Sequence, residues 1–142
     1  MDFTREERTA LLAVGRPEEL VGLADACLAD GVVPRVLRAP EIGCIATQVA
    51  EPVMGERFLL GDVLACRAEV ELAGARGWAM RLGDDRAAVL AAAICDAEVE
   101  AGRAHATDVL TLCERVAARE AEAEAAEWAQ LASTVVEFEE LT

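Results

Sequence analysis

Few residues in this chain could act as nucleophiles, general bases or metal ligands. His105 is the single histidine and Ser133 the single serine, so a serine or cysteine nucleophile could be activated only by His105. The cysteines are widely spaced, no Cys-x-x-Cys pair occurs, and none of the usual zinc-ligand spacings is present. The sequence therefore predicts no catalytic, cofactor-binding or metal site. We interpret His105 as a surface or cap-region residue before a helix.

The cysteines indicate the compartment of the protein. They are Cys27, Cys44, Cys66, Cys95 and Cys113. Scattered thiols of this kind are typical of reduced cytosolic proteins, and we interpret them as small buried apolar residues. No run of about twenty uncharged apolar residues occurs, and the N-terminus alternates charges instead of resembling a signal peptide. We therefore expect a soluble, cytoplasmic protein without a membrane contact.

Two groups of carboxylates could in principle perform acid-base chemistry or bind magnesium. Glu69 and Glu71 share one face of an alternating segment, and a solvated sheet face explains them. Glu120, Glu124 and Glu127 could bind a cation weakly, promote solubility or form salt bridges with a partner. We favour the structural interpretation of the first group and an interface role for Glu120 and Glu124.

The charge of the chain excludes one class of partner. The net charge is -14, and all 13 basic residues are arginines. No basic patch occurs, so nucleic acid would be repelled instead of bound. From Asp96 onward twelve acidic residues stand against three arginines, so nine of the fourteen net negative charges lie in the last third. That third is predicted to form an acidic surface.

The elements that must position these residues indicate an α+β fold in a single domain spanning residues 1–142. Thr4 can cap a first helix that ends at Val14 or Gly15, with Glu7 completing a capping box. Pro17 suits the first position of a second helix, which ends before Gly31. The two helices are predicted to form an N-terminal helical hairpin.

An antiparallel β-sheet is predicted to follow. Strands begin near Val32 and are interrupted by three prolines, Pro34, Pro40 and Pro52. The segments 64–72 and 76–82 alternate apolar and polar residues and form a hairpin. The apolar faces of the two segments are assigned to Leu64, Cys66, Ala68, Val70 and Leu72 in the first and to Trp78, Met80 and Leu82 in the second.

Helices dominate the rest of the chain. Asp84 or Asp85 can cap an alanine-rich helix from about Arg86 to Glu100, interpreted as a core helix. A long acidic helix is predicted from about residue 107 to 132, with a stripe of small residues and Trp128. Because glutamates border this stripe, the distal half of the helix is better suited to contact arginines of a neighbouring protein than to pack in a dry core of this chain. Residues 135–139 are predicted to form a short terminal strand that joins this sheet or the edge of another subunit's sheet.

The stretch from Arg35 to Arg67 carries a family resemblance. It contains Arg38-Ala39-Pro40-Glu41-Ile42-Gly43, then Gly55-Glu56-Arg57-Phe58-Leu59-Leu60-Gly61-Asp62, then Arg67. In order and spacing these motifs resemble the PhnG family, the G subunit of the bacterial carbon-phosphorus lyase core complex. The resemblance extends from about Gly15 to Glu100 and, less specifically, into the acidic tail.

The resemblance implies an accessory subunit of a multisubunit transferase that is not catalytic alone. With the companion subunits H, I, J and L, such a subunit would serve the formation of α-D-ribose 1-methylphosphonate 5-triphosphate from ATP and methylphosphonate, with release of adenine. It implies no cofactor of its own. The candidate structural or interface residues are Arg38, Glu41, Gly55, Arg57, Phe58, Gly61, Asp62 and Arg67. An alternative is that Arg38, Glu41, Asp62 and Arg67 only satisfy one another beside tight turns.

Two departures and two rival functions remain open. Ala50 and Asp84 stand where the family usually has arginine, so contacts made by those arginines would be absent or formed differently here. A free-standing homodimer that binds a small anion would need unpaired arginines between Arg38 and Arg67. A small independent enzyme would need an acid or nucleophile with a perturbed pKa in a pocket.

Overall fold

The computed structural model describes residues 2–133, and the architecture is α+β with four helices and one sheet. The elements, in chain order, are α1 (Arg5–Leu12), α2 (Pro17–Leu28), β1 (Arg35–Ala50), β2 (Arg57–Leu72), β3 (Ala75–Leu82), α3 (Arg86–Glu100) and α4 (Ala106–Ala132). The strands pair antiparallel in the order β1-β2-β3. The predicted terminal strand at 135–139 lies outside the described residues.

The two N-terminal helices begin where the sequence predicts. Thr4 accepts a hydrogen bond from the Glu7 amide at 3.1 Å, and the Glu7 carboxylate accepts one from the Thr4 amide at 2.8 Å, so the capping box is confirmed. Pro17 is the first residue of α2. The helix α1 ends at Leu12, two or three residues before the predicted end, because the chain turns there to position α2.

The prediction that Pro40 interrupts the first strand is wrong. The strand β1 runs through Pro40 for 16 residues, with register shifts between Val36 and Arg38 and between Arg38 and Glu41. Pro40 is tolerated at these irregularities because β1 is an edge strand. Proline lacks a backbone N–H, but at this position its absence costs no hydrogen bond within the sheet. The β1–β2 ribbon is therefore continuous up to the turn that contains Pro52.

The buried face of β3 is the opposite of the predicted one. Ala79 and Gly77 are buried, whereas Trp78 and Leu82 are exposed on the other face of the sheet. A Cβ on Gly77 would lie 2.0 Å from the carbonyl oxygen of Ala93, so α3 packs directly against the strand backbone. Small residues on both elements allow this close approach, which leaves the large side chains of β3 outside.

The prediction for the first hairpin strand holds for four of its five apolar residues. Cys66, Ala68, Val70 and Leu72 are buried against the helices, whereas Leu64 is 45% exposed. The third strand ends at Leu82, which pairs with Ala65 of β2. Leu64 lies beyond that point, where the sheet has only two strands and no helix covers them.

The alanine-rich helix α3 is the centre of the fold. It spans the predicted residues, Asp85 caps it by accepting a hydrogen bond from the Ala88 amide at 3.0 Å, and it contacts all three strands and the other three helices. Ten of its fifteen residues are buried, among them Val89 and Ile94. The core-helix interpretation is therefore confirmed.

The long helix α4 divides into two halves with different surroundings. Val109, Leu112, Cys113 and Val116 of the first half are buried. Every residue from Glu120 to Ser133 is exposed. Among the described residues, the distal half therefore adds no side chain to the core. No helix among residues 2–133 combines the length and apolar character needed to cross a membrane.

Candidate interaction site

A cluster of three charged side chains lies on the open face of the sheet. Glu41 Oε2 accepts hydrogen bonds from Arg38 Nη1 at 3.0 Å and from Arg67 Nε at 3.3 Å. The hydrogen bond from Arg38, followed by that from Arg67, lowers the pKa of Glu41 below its usual value. A carboxylate held ionised by two guanidinium groups is a poor general base.

Local backbone geometry explains why these three residues meet. Glu41 and Arg67 are paired across β1 and β2, so their side chains share a face. The register shift between Arg38 and Glu41 places Arg38 beside the same carboxylate. All three side chains are about half exposed, so solvent screens these ion pairs and they contribute little to stability.

A depression of about 250 Å³ adjoins this cluster. Its lining includes Glu41, Gly43, Ile45, Ala65, Arg67 and Met80. The charged groups in it already neutralise one another, and the remaining walls are apolar. The geometry therefore does not favour the small-anion alternative, which requires unpaired arginines, or a small enzyme, which requires an acid or nucleophile in reactive form.

The other candidate residues lie elsewhere on the ribbon. Asp62 is paired with Ala46, five residues along β2 from Arg67. Gly55 has a φ of +69° in the turn that joins β1 to β2, and the backbone of this turn is closed by the Glu51 amide donating to the Glu56 carbonyl at 2.8 Å. From the rise of an extended strand, this turn is roughly 30 Å from Arg67.

The eight ribbon candidates therefore do not converge on one site. Three of them, Arg38, Glu41 and Arg67, satisfy one another as the alternative interpretation requires. The side chain of Asp62 is exposed and forms no hydrogen bond or ion pair with the described residues, so that interpretation is wrong for it. Arg57 pairs in register with Ala50, one of the two departures from the family pattern, and Asp84 is exposed.

The distal part of the ribbon forms an arm, here defined as residues 44–64. No residue of the arm is buried, and its two strands lack a third neighbour among residues 2–133. The exposed large apolar side chains of the arm are Ile45, Val49, Val53, Met54, Phe58, Leu59, Leu60 and Leu64. Apolar surface of this extent on a two-stranded ribbon is typical of a segment that another protein covers.

The distal helix, here defined as residues 120–132, is a second projecting element. Glu120 and Glu124 are exposed and form no ion pair with the described residues, and Trp128 is 65% exposed. The last anchor before this segment is Arg119, whose Nη1 donates to Glu19 Oε1 of α2 at 2.5 Å. Beyond that contact the helix carries acidic and alanine residues with an exposed aromatic side chain.

The sequence interpretation missed a buried charge network in the core. Asp96 of α3 has no exposed side-chain surface and accepts hydrogen bonds from Arg8 Nε at 3.0 Å and from the Trp78 amide at 2.9 Å. Arg8 also contacts Glu100, and this hydrogen bond lowers the pKa of Glu100. The network joins α1, the free edge of β3 and α3. Its sequence signal was the pair Arg5 and Arg8 on the face of α1 that also carries Leu12.

A second buried carboxylate, Glu98, holds the opposite end of α3. It accepts hydrogen bonds from Arg103 Nε at 2.9 Å and from the His105 amide at 3.1 Å, while Arg103 also reaches Asp30 at 2.7 Å. His105 occupies the N-cap position of α4, in the cap region that the sequence predicts, but its side chain makes no capping hydrogen bond; its Nδ1 lies 2.8 Å from Asp108 Oδ2. That hydrogen bond raises the pKa of His105. These contacts are structural.

The thiols and carboxylates offer no metal site in the part of the chain described. No group of three or more histidine, cysteine, aspartate or glutamate side chains is close enough to hold an ion among residues 2–133. Four cysteines are buried and free, as expected, but Cys44 is exposed on the arm, so its assignment to the core is wrong. Burial raises the pKa of the Cys113 thiol to about 11. Glu69 lies on the open face of the sheet near Arg76, as predicted.

Fold and site together define an α+β protein with a central alanine-rich helix, an internally neutralised charge cluster and two projecting elements. A family model described as "Phosphonate metabolism protein PhnG" matches residues 3–142. The chain therefore belongs to the PhnG family, which places it in phosphonate metabolism, and the family resemblance stated from Arg38 to Arg67 is confirmed. No curated protein matches the chain at the required significance.

Proposed function

We propose that this protein is an accessory subunit of the carbon-phosphorus lyase core complex. The observation that carries the proposal is the family match over residues 3–142. In this role the chain binds the companion subunits H, I, J and L in the cytoplasm, and one of those subunits supplies the catalytic groups. The complex forms α-D-ribose 1-methylphosphonate 5-triphosphate from ATP and methylphosphonate and releases adenine.

The geometry of the chain supports a binding role over a chemical one. The carboxylate beside the depression next to the charge cluster is neutralised by two arginines, and the thiols in the core are buried. The arm and the distal helix instead expose apolar and acidic surface that the described residues do not cover. Surfaces of this kind are typical of subunits that are completed by a partner.

The experiment that tests the proposal compares assembly and activity with and without this chain. The chain is co-expressed with subunits H, I, J and L, the complex is purified through a tag on one companion, and adenine release from ATP plus methylphosphonate is measured. We expect co-purification at a fixed ratio and loss of adenine release when the chain is omitted. Unchanged release without the chain, or no co-purification, would contradict the subunit role.

A matched control separates assembly from folding. Asp84→Arg restores the arginine that the family usually has at this exposed position, which belongs to neither of the two projecting elements. We expect this variant to assemble and to support adenine release like the unmodified chain. Loss of assembly in the control would show that the contacts lie at the start of α3 instead.

A further inference from the structure

The free edge of β1 changes character at its middle. Its first half contains Arg35, Arg38, Pro40 and Glu41 and two register shifts. Charges, prolines and bulges are the devices by which proteins protect an edge strand from pairing with another chain. This half of the edge is therefore protected in three ways.

The second half of the same edge carries neither a charge nor a proline, and its single register shift, between Thr47 and Gln48, lies close to the turn. Residues 42–50 read Ile-Gly-Cys-Ile-Ala-Thr-Gln-Val-Ala, nine residues without a charge or a proline. They stay in one register with β2 from Ile42 to Thr47, and none of them is buried. A long, uncharged, exposed edge is a template for an added strand.

The opposite edge of the sheet does not offer such a template. Along β3, the Trp78 amide donates to Asp96 and the Arg76 carbonyl accepts a hydrogen bond from Arg5 at 2.7 Å. Side chains of α1 and α3 thus occupy backbone groups of that edge. The contrast indicates that strand addition, if the sheet is extended, takes place at β1.

The faces of the arm restrict what can pair with this edge. Residues in register share a face, so Val49 and Phe58 lie on one face and Leu59 lies with Gln48 on the other. Both faces therefore expose large apolar side chains, and Phe58 and Leu59 are each about half exposed. A strand added at the edge alone would leave both faces in water.

A second copy of this chain is a poor occupant. Paired through its own β1, a second arm would extend the ribbon sideways and leave both faces exposed, and it would bring a second net charge of -14 close. The arm itself contains three carboxylates, Glu51, Glu56 and Asp62, against Arg57. The complementary surface is a cleft with apolar walls and a basic rim.

We propose that the arm inserts into an apolar, basic-rimmed cleft of a different protein subunit and that residues 42–50 pair there with a strand of that partner. The inference rests on the proposed function, because it assumes that companion subunits bind this chain. The backbone of residues 42–50 supplies hydrogen bonds to the partner strand. Phe58, Leu59 and Leu60 supply the apolar contact in the cleft.

The test compares two substitutions on one edge strand. Ile45→Arg places a charge on the unprotected half, where Ile45 is 38% exposed, and Val36→Arg places the same charge on the protected half, where Val36 is 49% exposed. Both are measured for binding to the co-purified companion subunits, with thermal unfolding of the isolated chains as a check on folding. We expect Ile45→Arg to weaken binding at least about tenfold, whereas Val36→Arg stays within about threefold.

Amide hydrogen exchange of the unmodified chain, alone and in the complex, gives a second measurement. We expect the amides of residues 42–50 to become protected in the complex, because strand addition pairs backbone groups that face water in the isolated chain. If the complex forms without this protection, or if Ile45→Arg binds like the unmodified chain, the inference is overturned and the subunit role stands. If the isolated chain dimerises with these amides protected, the occupant is a second copy and the inference is overturned. Failure of the unmodified chain to bind any companion would overturn both.

Discussion

The body of the molecule, here the helices and strands outside the arm and the distal helix, differs from these two projecting elements in how its residues are buried. In the body, α3 places small residues against the sheet so closely that Gly77 has no space for a side chain, and even the charged Asp96 is fully buried and paired. No residue of the arm (44–64) or of the distal helix (120–132) is buried. Among the described residues, the core thus lies in the body, whereas the projecting elements contribute no buried residue.

The largest expected effect tests the closed core. Asp96→Ala should lower the free energy of unfolding by about 3–5 kcal/mol, because it removes one of the two carboxylates that pair with the buried Arg8 and leaves the Trp78 amide without an acceptor. Urea denaturation of the isolated chain measures this loss. Asp84→Asn, on an exposed carboxylate, is the control and should change stability by less than about 0.5 kcal/mol. Similar losses for both would show that Asp96 is not a core contact.

A smaller effect is expected from the contact between α3 and the sheet. Gly77→Ala should cost about 1–3 kcal/mol, because its Cβ would lie 2.0 Å from the Ala93 carbonyl oxygen and 2.5 Å from the Ala97 amide nitrogen. Gly22→Ala, within α2 and with open space around it, should stabilise by roughly 0.5–1 kcal/mol. Thermal unfolding of the two variants should thus shift in opposite directions. Equal shifts would contradict the close packing at Gly77.

The boundary between the packed and projecting halves of α4 gives a pH-dependent prediction. The hydrogen bond from Arg119 lowers the pKa of Glu19. The ion pair between the two residues therefore stabilises the fold fully above the ordinary glutamate pKa of about 4.3. This stabilisation is lost as the pH falls through the lowered pKa. Glu19→Gln should cost about 1 kcal/mol at neutral pH. The difference should disappear in acid, as measured by denaturation at a series of pH values. A stability difference between Glu19→Gln and the unmodified chain that grows in acid would contradict this ion pair.

The smallest effect on stability, and a clear effect on assembly, is expected on the distal helix. Charge reversal by Glu120→Arg and Glu124→Arg should leave unfolding within about 0.5 kcal/mol, since both side chains are exposed and without an ion pair to the described residues. The same changes should weaken binding to the companion subunits. Asp25→Arg, an exposed reversal on α2, is the matched control. Equal binding by all three variants would remove the distal helix as an interface.

The accuracy of the sequence predictions depended on how local their physical causes were. The caps at Thr4 and Asp85 and the first residue of α2 at Pro17 were predicted correctly, because each is fixed by residues within one helical turn. The buried face of β3 was not. Alternation shows that β3 has two faces, and hydrophobicity predicts that the face with the larger side chains is buried. The face with the smaller residues is buried instead, because α3 packs directly against the strand backbone.

The candidate site was predicted in part. The pairing of Arg38, Glu41 and Arg67 was anticipated as one alternative, and the structure shows it. The separation of these residues from Gly55 and Arg57 was not anticipated, because a motif that is compact in sequence becomes long when it is folded as an extended ribbon. At about 3.4 Å per residue, ten strand residues cover roughly 30 Å.

By itself the sequence determined the α+β class, the helix starts, the family and the scarcity of catalytic groups, because composition, caps and motifs act locally. Only the tertiary structure decided that Asp96 and Glu98 are buried with arginine partners, that Trp78 faces outward, and that residues 44–64 and 120–132 project from the body. Burial depends on which elements pack together over long sequence distances. The packing that buries the body around α3 leaves the arm and the distal helix exposed among the described residues.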